Sequence, residues 1–440
     1  MMKSGKYRKA FSSVIFWSII SAAFIGPGTI TTALTAGSSY KYQLLWALCF
    51  SLIACFFIQE ASARITIVTG KTLGESIQSK FNASGRWLKS LAGFSIVFGC
   101  MAYQAGNLAG AIAGFGLLIP FNQQVILTAF VIIIMLLLLI DNLRLITRLM
   151  GSLVGIMGLV FIGLAFSQEI EITNILQYGL IPNLPAGSEL LVVSLVGTTI
   201  VPYNIFLGSG ISHLQSKKAM RIGLGGAILI GGIISIAVLL VGSSLQGDQS
   251  FAAYYQSLAT INPWIAGFFA TGLFAAGFTS SITAPLASVI TIRSIYGNKR
   301  NPKNYKWIGM MVVLTGYMAA MSGYQPIAMI ITAQAINGFL LPLVTIFLLF
   351  IISDPGENQQ MKSSRANVAI MYSITGIIIF LGINQVISAF LKVQPSELVA
   401  SYRYWIAFLI VAIIMAGLFY WLILKRRNQS RSNDIISNTK

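Results

Sequence analysis

Negative charge is the scarcest chemistry in this chain. Its 440 residues include eleven Asp and Glu, one His and three Cys, and each shortage excludes a class of function. The single histidine, His213, cannot supply an imidazole cluster within one subunit. Cys49, Cys55 and Cys100 fall inside apolar stretches without metal-ligand spacing and read as small core residues. There is no nucleotide-binding glycine loop and no polar segment to house a catalytic domain, so neither an enzyme nor a cofactor is expected. The acids also avoid the middle of every apolar stretch. Glu60 and Asp141 mark ends, while Glu75, Glu169, Glu171, Glu189, Asp248, Asp354, Glu357, Glu397 and Asp434 lie in connections or tails.

What fills the chain instead is hydrocarbon. Hydrophobic residues make up 56% and charged residues 9%, with a mean hydropathy of +0.80, a composition of polytopic membrane proteins. Apolar runs of about 18–25 residues read as membrane-spanning helices. Twelve are expected, near 12–36, 43–68, 88–118, 123–141, 149–167, 188–212, 222–243, 264–293, 306–323, 327–352, 367–390 and 402–424. The connections near 70–87, 168–187 and 294–305 read as ordinary loops. Ser21-Ala22-Ala23 in the first run would suit a signal-peptidase site, but the apolar stretch continues past it, as a retained helix does. Gly110 with Gly114, Gly151 with Gly155, and the cluster from Gly223 to Gly232 offer small faces for helix packing.

The net charge of +18 would suggest nucleic acid in a soluble protein. Its distribution gives another reason. With the N-terminus inside, all Lys and Arg except Lys41, Lys392 and Arg403 fall on the cytoplasmic side, which is the positive-inside rule. The expectation is a multi-pass protein of the cell membrane with both termini cytoplasmic and lipid as its surroundings. Its divisions are an N-terminal segment 1–11, a core 12–352, two further helices within 353–424 and a basic tail 425–440.

Two short segments interrupt the apolar runs at matching places in the two halves: Gly26-Pro27-Gly28-Thr29 in the first span and Val201-Pro202-Tyr203-Asn204 in the sixth. Inside hydrocarbon a backbone must satisfy its own hydrogen bonds, so such interruptions survive only where protein or a wet path takes up the freed groups. Paired broken helices in corresponding positions point to a secondary carrier with a binding site between them, and disfavour a channel. Spans one to five and six to ten then form two five-helix halves of opposite orientation.

Several segments resemble one family. Gly26-Pro27-Gly28-Thr29 with Thr35-Ala36-Gly37 and Leu44-Leu45-Trp46 is similar to the first-helix signature of the Nramp divalent-metal transporters, which reads DPGN, then AG and LLW. Gln59-Glu60-Ala61-Ser62-Ala63-Arg64 with Thr69-Gly70-Lys71 resembles the end of the family's second helix. Gly272 to Thr283 resembles its eighth-helix motif, with Phe278 in place of a glutamine, and Gln334 falls where the tenth helix carries a glutamine. The resemblance implies an all-α integral membrane fold, a LeuT-like 5+5 inverted repeat with helices 1 and 6 broken, alternating access, and metal-ion transport.

The departures fall on the residues that carry the family's chemistry. Where the family places an aspartate, an asparagine and a methionine on the ion, this chain has Gly26, Thr29 and Val201. The third-helix acids of the family's proton path correspond to Gln104 and Asn107, and its two sixth-helix histidines to Tyr203 and Gly208. Transition metals prefer carboxylate, imidazole or sulfur donors, and none is expected at this centre. The residues therefore favour a small organic solute, possible carboxylates being drawn by the helix N-termini after each break. Its expected contacts are Gly26, Pro27, Gly28, Thr29, Thr198, Val201, Tyr203 and Asn204. A hydrated divalent or monovalent cation is an alternative, held by carbonyls and the Thr29 and Thr198 hydroxyls, and a non-transporting membrane sensor is another. Gln104, Asn107, Gln334 and Asn337 either line a polar path or bridge helices. Glu60 and Arg64, at i and i+4, pair as a gate or a structural bridge. Coupling stays open between facilitated diffusion, sodium, and protons carried by a carboxylate at a span end.

Overall fold

The computed structural model describes residues 13, 16–17, 20–21, 23–119, 122–139, 143–166, 172–245, 250–296, 305–353, 363–393 and 397–438. The expected segment 1–11 lies outside these, as do the side chains of the basic tail 425–440. The described chain is almost wholly helical. After helical residues around Trp17 come α1 (Pro27–Tyr40), α2 (Leu45–Thr69), α3 (Leu73–Leu118), α4 (Gln123–Leu139) and α5 (Leu143–Phe166). Then follow α6 (Ile172–Leu180), α7 (Glu189–Thr199), α8 (Pro202–Ile211), α9 (Lys217–Ser244) and α10 (Phe251–Ile261). The remainder is α11 (Pro263–Tyr296), α12 (Lys306–Ala320), α13 (Pro326–Ser353), α14 (Arg365–Val393) and α15 (Glu397–Asn438).

Eight helical stretches among the described residues are long and apolar enough to cross a membrane, and one of them joins α7 and α8 across their break. The shorter apolar helices α4 and α12 coincide with the expected fourth and ninth spans, and α5 with the fifth.

The stretch 70–87, expected as a loop, is largely helix. Thr72 and Glu75 form a capping box that starts α3: Glu75 N–H donates to Thr72 Oγ1 at 3.3 Å, and Thr72 N–H donates to Glu75 Oε2 at 2.9 Å. Two otherwise orphaned N–H groups are satisfied reciprocally, and the helix runs 46 residues without interruption. Just before it, Gly70 closes α2 with φ 68°, the left-handed position glycine adopts without strain, and its N–H reaches Thr66 O at 2.9 Å. The connections around 168–187 and 244–263 also carry short helices, α6 and α10.

The chain divides into Met1–Leu341 and Pro342–Lys440, with α13 running across the boundary. In the first unit α3 lies along α11, and α1 along α9. Glycines permit both approaches: a Cβ at Gly114 would collide with the Phe274 backbone, and one at Gly242 with Leu34 O. In lipid, where apolar burial drives little association, such close contact is what holds helices together. In the second unit α14 packs on α15, with the Tyr372 and Phe419 rings edge to face at 6.3 Å.

Candidate functional site

Proline makes the two breaks, and it makes them by removing donors. Pro27 has no N–H, so the carbonyl of Ala23, four residues earlier, loses its helical partner. Pro202 does the same in the second half, where α7 stops at Thr199 and α8 begins at Pro202, with Ile200 and Val201 between. Gly26 bends the first break, its N–H donating to Phe24 O at 3.0 Å while its carbonyl accepts from Ile30 at 3.2 Å. The N-termini of α1 and α8 and the C-terminus of α7 thus meet near one another, bringing partial charges of both signs.

Side chains answer the freed backbone groups, and they do so across the breaks. Tyr203 Oη, on α8, donates to Ala23 O at 3.1 Å, the acceptor that Pro27 orphaned. Asn204 Nδ2 donates to Ile20 O at 3.3 Å. Tyr103, on α3, donates to Gly197 O near the end of α7 at 2.7 Å. The Thr29 hydroxyl bonds to Phe24 O, and it also lies 2.8 Å from Thr198 Oγ1. With its one hydrogen given to Phe24, Thr29 must accept from Thr198, a link that ties the two breaks together. The rings of Tyr103 and Tyr203 meet edge to face at 5.6 Å. All of these side chains are buried.

The remaining expected residues divide between this centre and its surroundings. Gln334 reaches it: a Cβ at Gly28 would collide with the Gln334 amide. Asn107 reaches it too, its Oδ1 lying 3.8 Å from where a Cβ on Gly26 would stand. Pro27 packs against Gly110 of α3, and Val201 is a buried N-cap with an apolar side chain. Gln104 instead donates to Ser281 O at 3.0 Å and packs beside Gly316, between α11 and α12. Asn337 donates to Ala333 O at 3.1 Å and Gly99 O at 3.4 Å, bridging α13 to α3.

Glu60 and Arg64 lie apart from the breaks. They pair at 3.2 Å on α2, and Glu60 also accepts from Arg221 Nη2 and Nε of α9, at 2.7 and 2.9 Å. This is an ion-pair bridge between α2 and α9.

Two residues at the centre carried no signal as site residues. Ser280 stands 2.5 Å from the Gly26 Cβ position, visible in sequence only as part of a longer motif. Tyr103 is brought there by the packing of α3, and nothing in its local sequence marks it.

Five buried polar atoms in and beside this cluster have no hydrogen-bond partner: Asn107 Nδ2, Asn204 Oδ1, Ser280 Oγ, Gln334 Oε1 and Gln104 Oε1. Gathered in one buried cluster, such atoms are open to a guest, water or an ion, that supplies the missing bond. Three of those at the centre, on Asn204, Ser280 and Gln334, are oxygens able to face a cation. Among the described residues no three His, Cys, Asp or Glu gather where they could hold a metal, so the centre's donors are hydroxyls, amides and backbone carbonyls.

Comparison with known proteins gives the family. The model for "Natural resistance-associated macrophage protein-like" proteins, Nramp, matches residues 18–388. The chain is 25% identical over 365 residues to the divalent metal cation transporter MntH of Erwinia tasmaniensis, covering 79% of this chain and 87% of that one. In fold it is similar to the Eremococcus coleocola manganese transporter, crystallised with an aromatic bis-isothiourea compound: TM-score 0.74, 18% identity, 96% of each chain covered. It is also similar in fold to the inward-facing conformation of Mhp1, with TM-score 0.52, 15% identity, and 94% and 91% of the two chains covered.

Proposed function

The chain belongs to the Nramp family, a membrane transporter of LeuT-like fold and not an enzyme, and from that premise we propose that its cargo is a metal cation. The cation passes between the two breaks by alternating access, in a cell membrane with both termini cytoplasmic. The observation that carries this reading is the buried cluster of neutral oxygens at the breaks, several without partners. Oxygen-only sites suit hard cations, and neutral ones suit cations that keep part of their hydration shell. The cargo is therefore read as a partly hydrated cation rather than a bare transition metal.

The organic solute that the missing ligands suggested in sequence is given up. The Erwinia relative and the Eremococcus transporter are both named for metal ions. At the breaks the Gln334 amide stands beside Gly28 and Ser280 beside Gly26.

Thermal unfolding of the purified protein tests the reading. Titration with manganese, magnesium and calcium chlorides should raise the midpoint saturably, as a ligand that binds only the folded state does. A rise with amino acids or organic acids and none with any cation would sink it.

A further inference from the structure

We propose that Tyr103 and Tyr203 set the selectivity of this site by keeping two backbone carbonyls from the cation, an inference that rests on the cation reading above. The carbonyl of Ala23 is released by Pro27 and that of Gly197 lies where α7 gives way to the second break. A carbonyl freed at a helix break is a ready neutral cation ligand, of the same kind as a side-chain amide oxygen. Here neither is left open. The Tyr203 phenol donates to Ala23 O at 3.1 Å and the Tyr103 phenol to Gly197 O at 2.7 Å.

The arrangement is specific. Each phenol crosses from another helix to reach its carbonyl: Tyr203 from the second break to the first, Tyr103 from α3 to the second. The rings brace one another edge to face, and both side chains are buried, so water does not compete for the carbonyls. A carbonyl oxygen has two lone pairs, and a donated hydrogen takes one and sets positive charge beside the other. A cation entering the cluster meets weakened carbonyls. It must rely on Gln334, Asn204, Ser280 and its own water, which disfavours ions that demand full replacement of their hydration shell.

Removing the hydroxyl while keeping the ring separates this role from packing. Tyr203→Phe and Tyr103→Phe, in the full-length purified protein, should each bind manganese about tenfold more tightly by titration calorimetry, the fold-change equivalent to one neutral hydrogen bond. Each should also show a larger manganese-induced rise in unfolding midpoint than the wild type. Tyr254→Phe is the control, since Tyr254 is buried and meets Ser38 away from the breaks, and its affinity should be unchanged. The two Phe variants act on different carbonyls, so one suffices if the other does not fold. Unchanged affinity in both overturns the proposal, and so does weaker binding in Tyr203→Phe, which would make the phenol itself a ligand. If wild type and variants alike bind neither manganese, magnesium nor calcium, the cation reading fails together with it.

Discussion

The centre between the breaks and the bridge at Glu60 are both buried and polar, yet they solve burial in opposite ways. At Glu60 charge is kept and paired: one carboxylate faces Arg64 on its own helix and Arg221 on the neighbour, whose side chain is 51% exposed. At the centre every described group is neutral, and partners run short instead of charge. The difference teaches where each kind of polarity is tolerable. An ion pair survives where geometry is good and one partner keeps contact with solvent. Unpaired buried dipoles are costly unless a guest supplies their missing bonds.

The comparison can be broken most severely by giving the centre the bridge's chemistry. Gly26→Asp would set a carboxylate beside Ser280 and Asn107, with no cation from the protein to pair it. We expect a loss of several kcal/mol in cation-free protein, largely recovered by manganese, as read from unfolding midpoints with and without the metal. A loss that manganese leaves untouched would show that the position does not face the cation.

The converse change removes charge from the bridge. Glu60→Ala should cost about 2–3 kcal/mol, short of a fully buried pair because half of Arg221 is already in solvent. Manganese affinity should stay within about twofold, since the bridge lies apart from the breaks, a change of under 0.5 kcal/mol. A matching loss of affinity would join the two regions into one machine.

Smaller effects sharpen the picture of the centre. Gly28→Ala pushes a methyl into the Gln334 amide, and because that side chain is flexible the cost should be near 1 kcal/mol, the low end for overpacking. Manganese affinity should fall as Gln334 Oε1 is displaced. Thr198→Val deletes the hydroxyl that donates to Thr29 and should cost about 1 kcal/mol, the net worth of one neutral hydrogen bond. Uptake measured at several temperatures should then reveal whether the link between the breaks sets the rate of turnover.

Much of this was legible in the sequence, and the limits have physical causes. Pro27 and Pro202 declare the breaks because losing an N–H is a property of the residue itself. Burial of Thr29, Thr198, Tyr203 and Asn204 together followed from the pairing of the two breaks. The start of α3 at Leu73 was written in Thr72-Leu73-Gly74-Glu75, a capping box, but the polar residues around Lys80, Arg86 and Lys89 masked it. Gln334 and Asn337 share a helix face by spacing, yet only Gln334 meets a break, because the register of α13 against α3 decides which turn reaches the centre. The roles of Tyr103 and Tyr203 as donors to carbonyls could not be read at all. They depend on the direction of a phenol hydroxyl across a helix interface, which no local pattern encodes.

A centre without charge is proposed to move a metal cation. Uptake into liposomes containing the purified wild-type protein tests it most directly, with manganese and magnesium offered in the presence and absence of excess amino acids and organic acids. Saturable, protein-dependent accumulation of at least one of the two cations is expected, and the organic compounds should leave it unchanged. Accumulation of an organic compound with neither cation entering would contradict it.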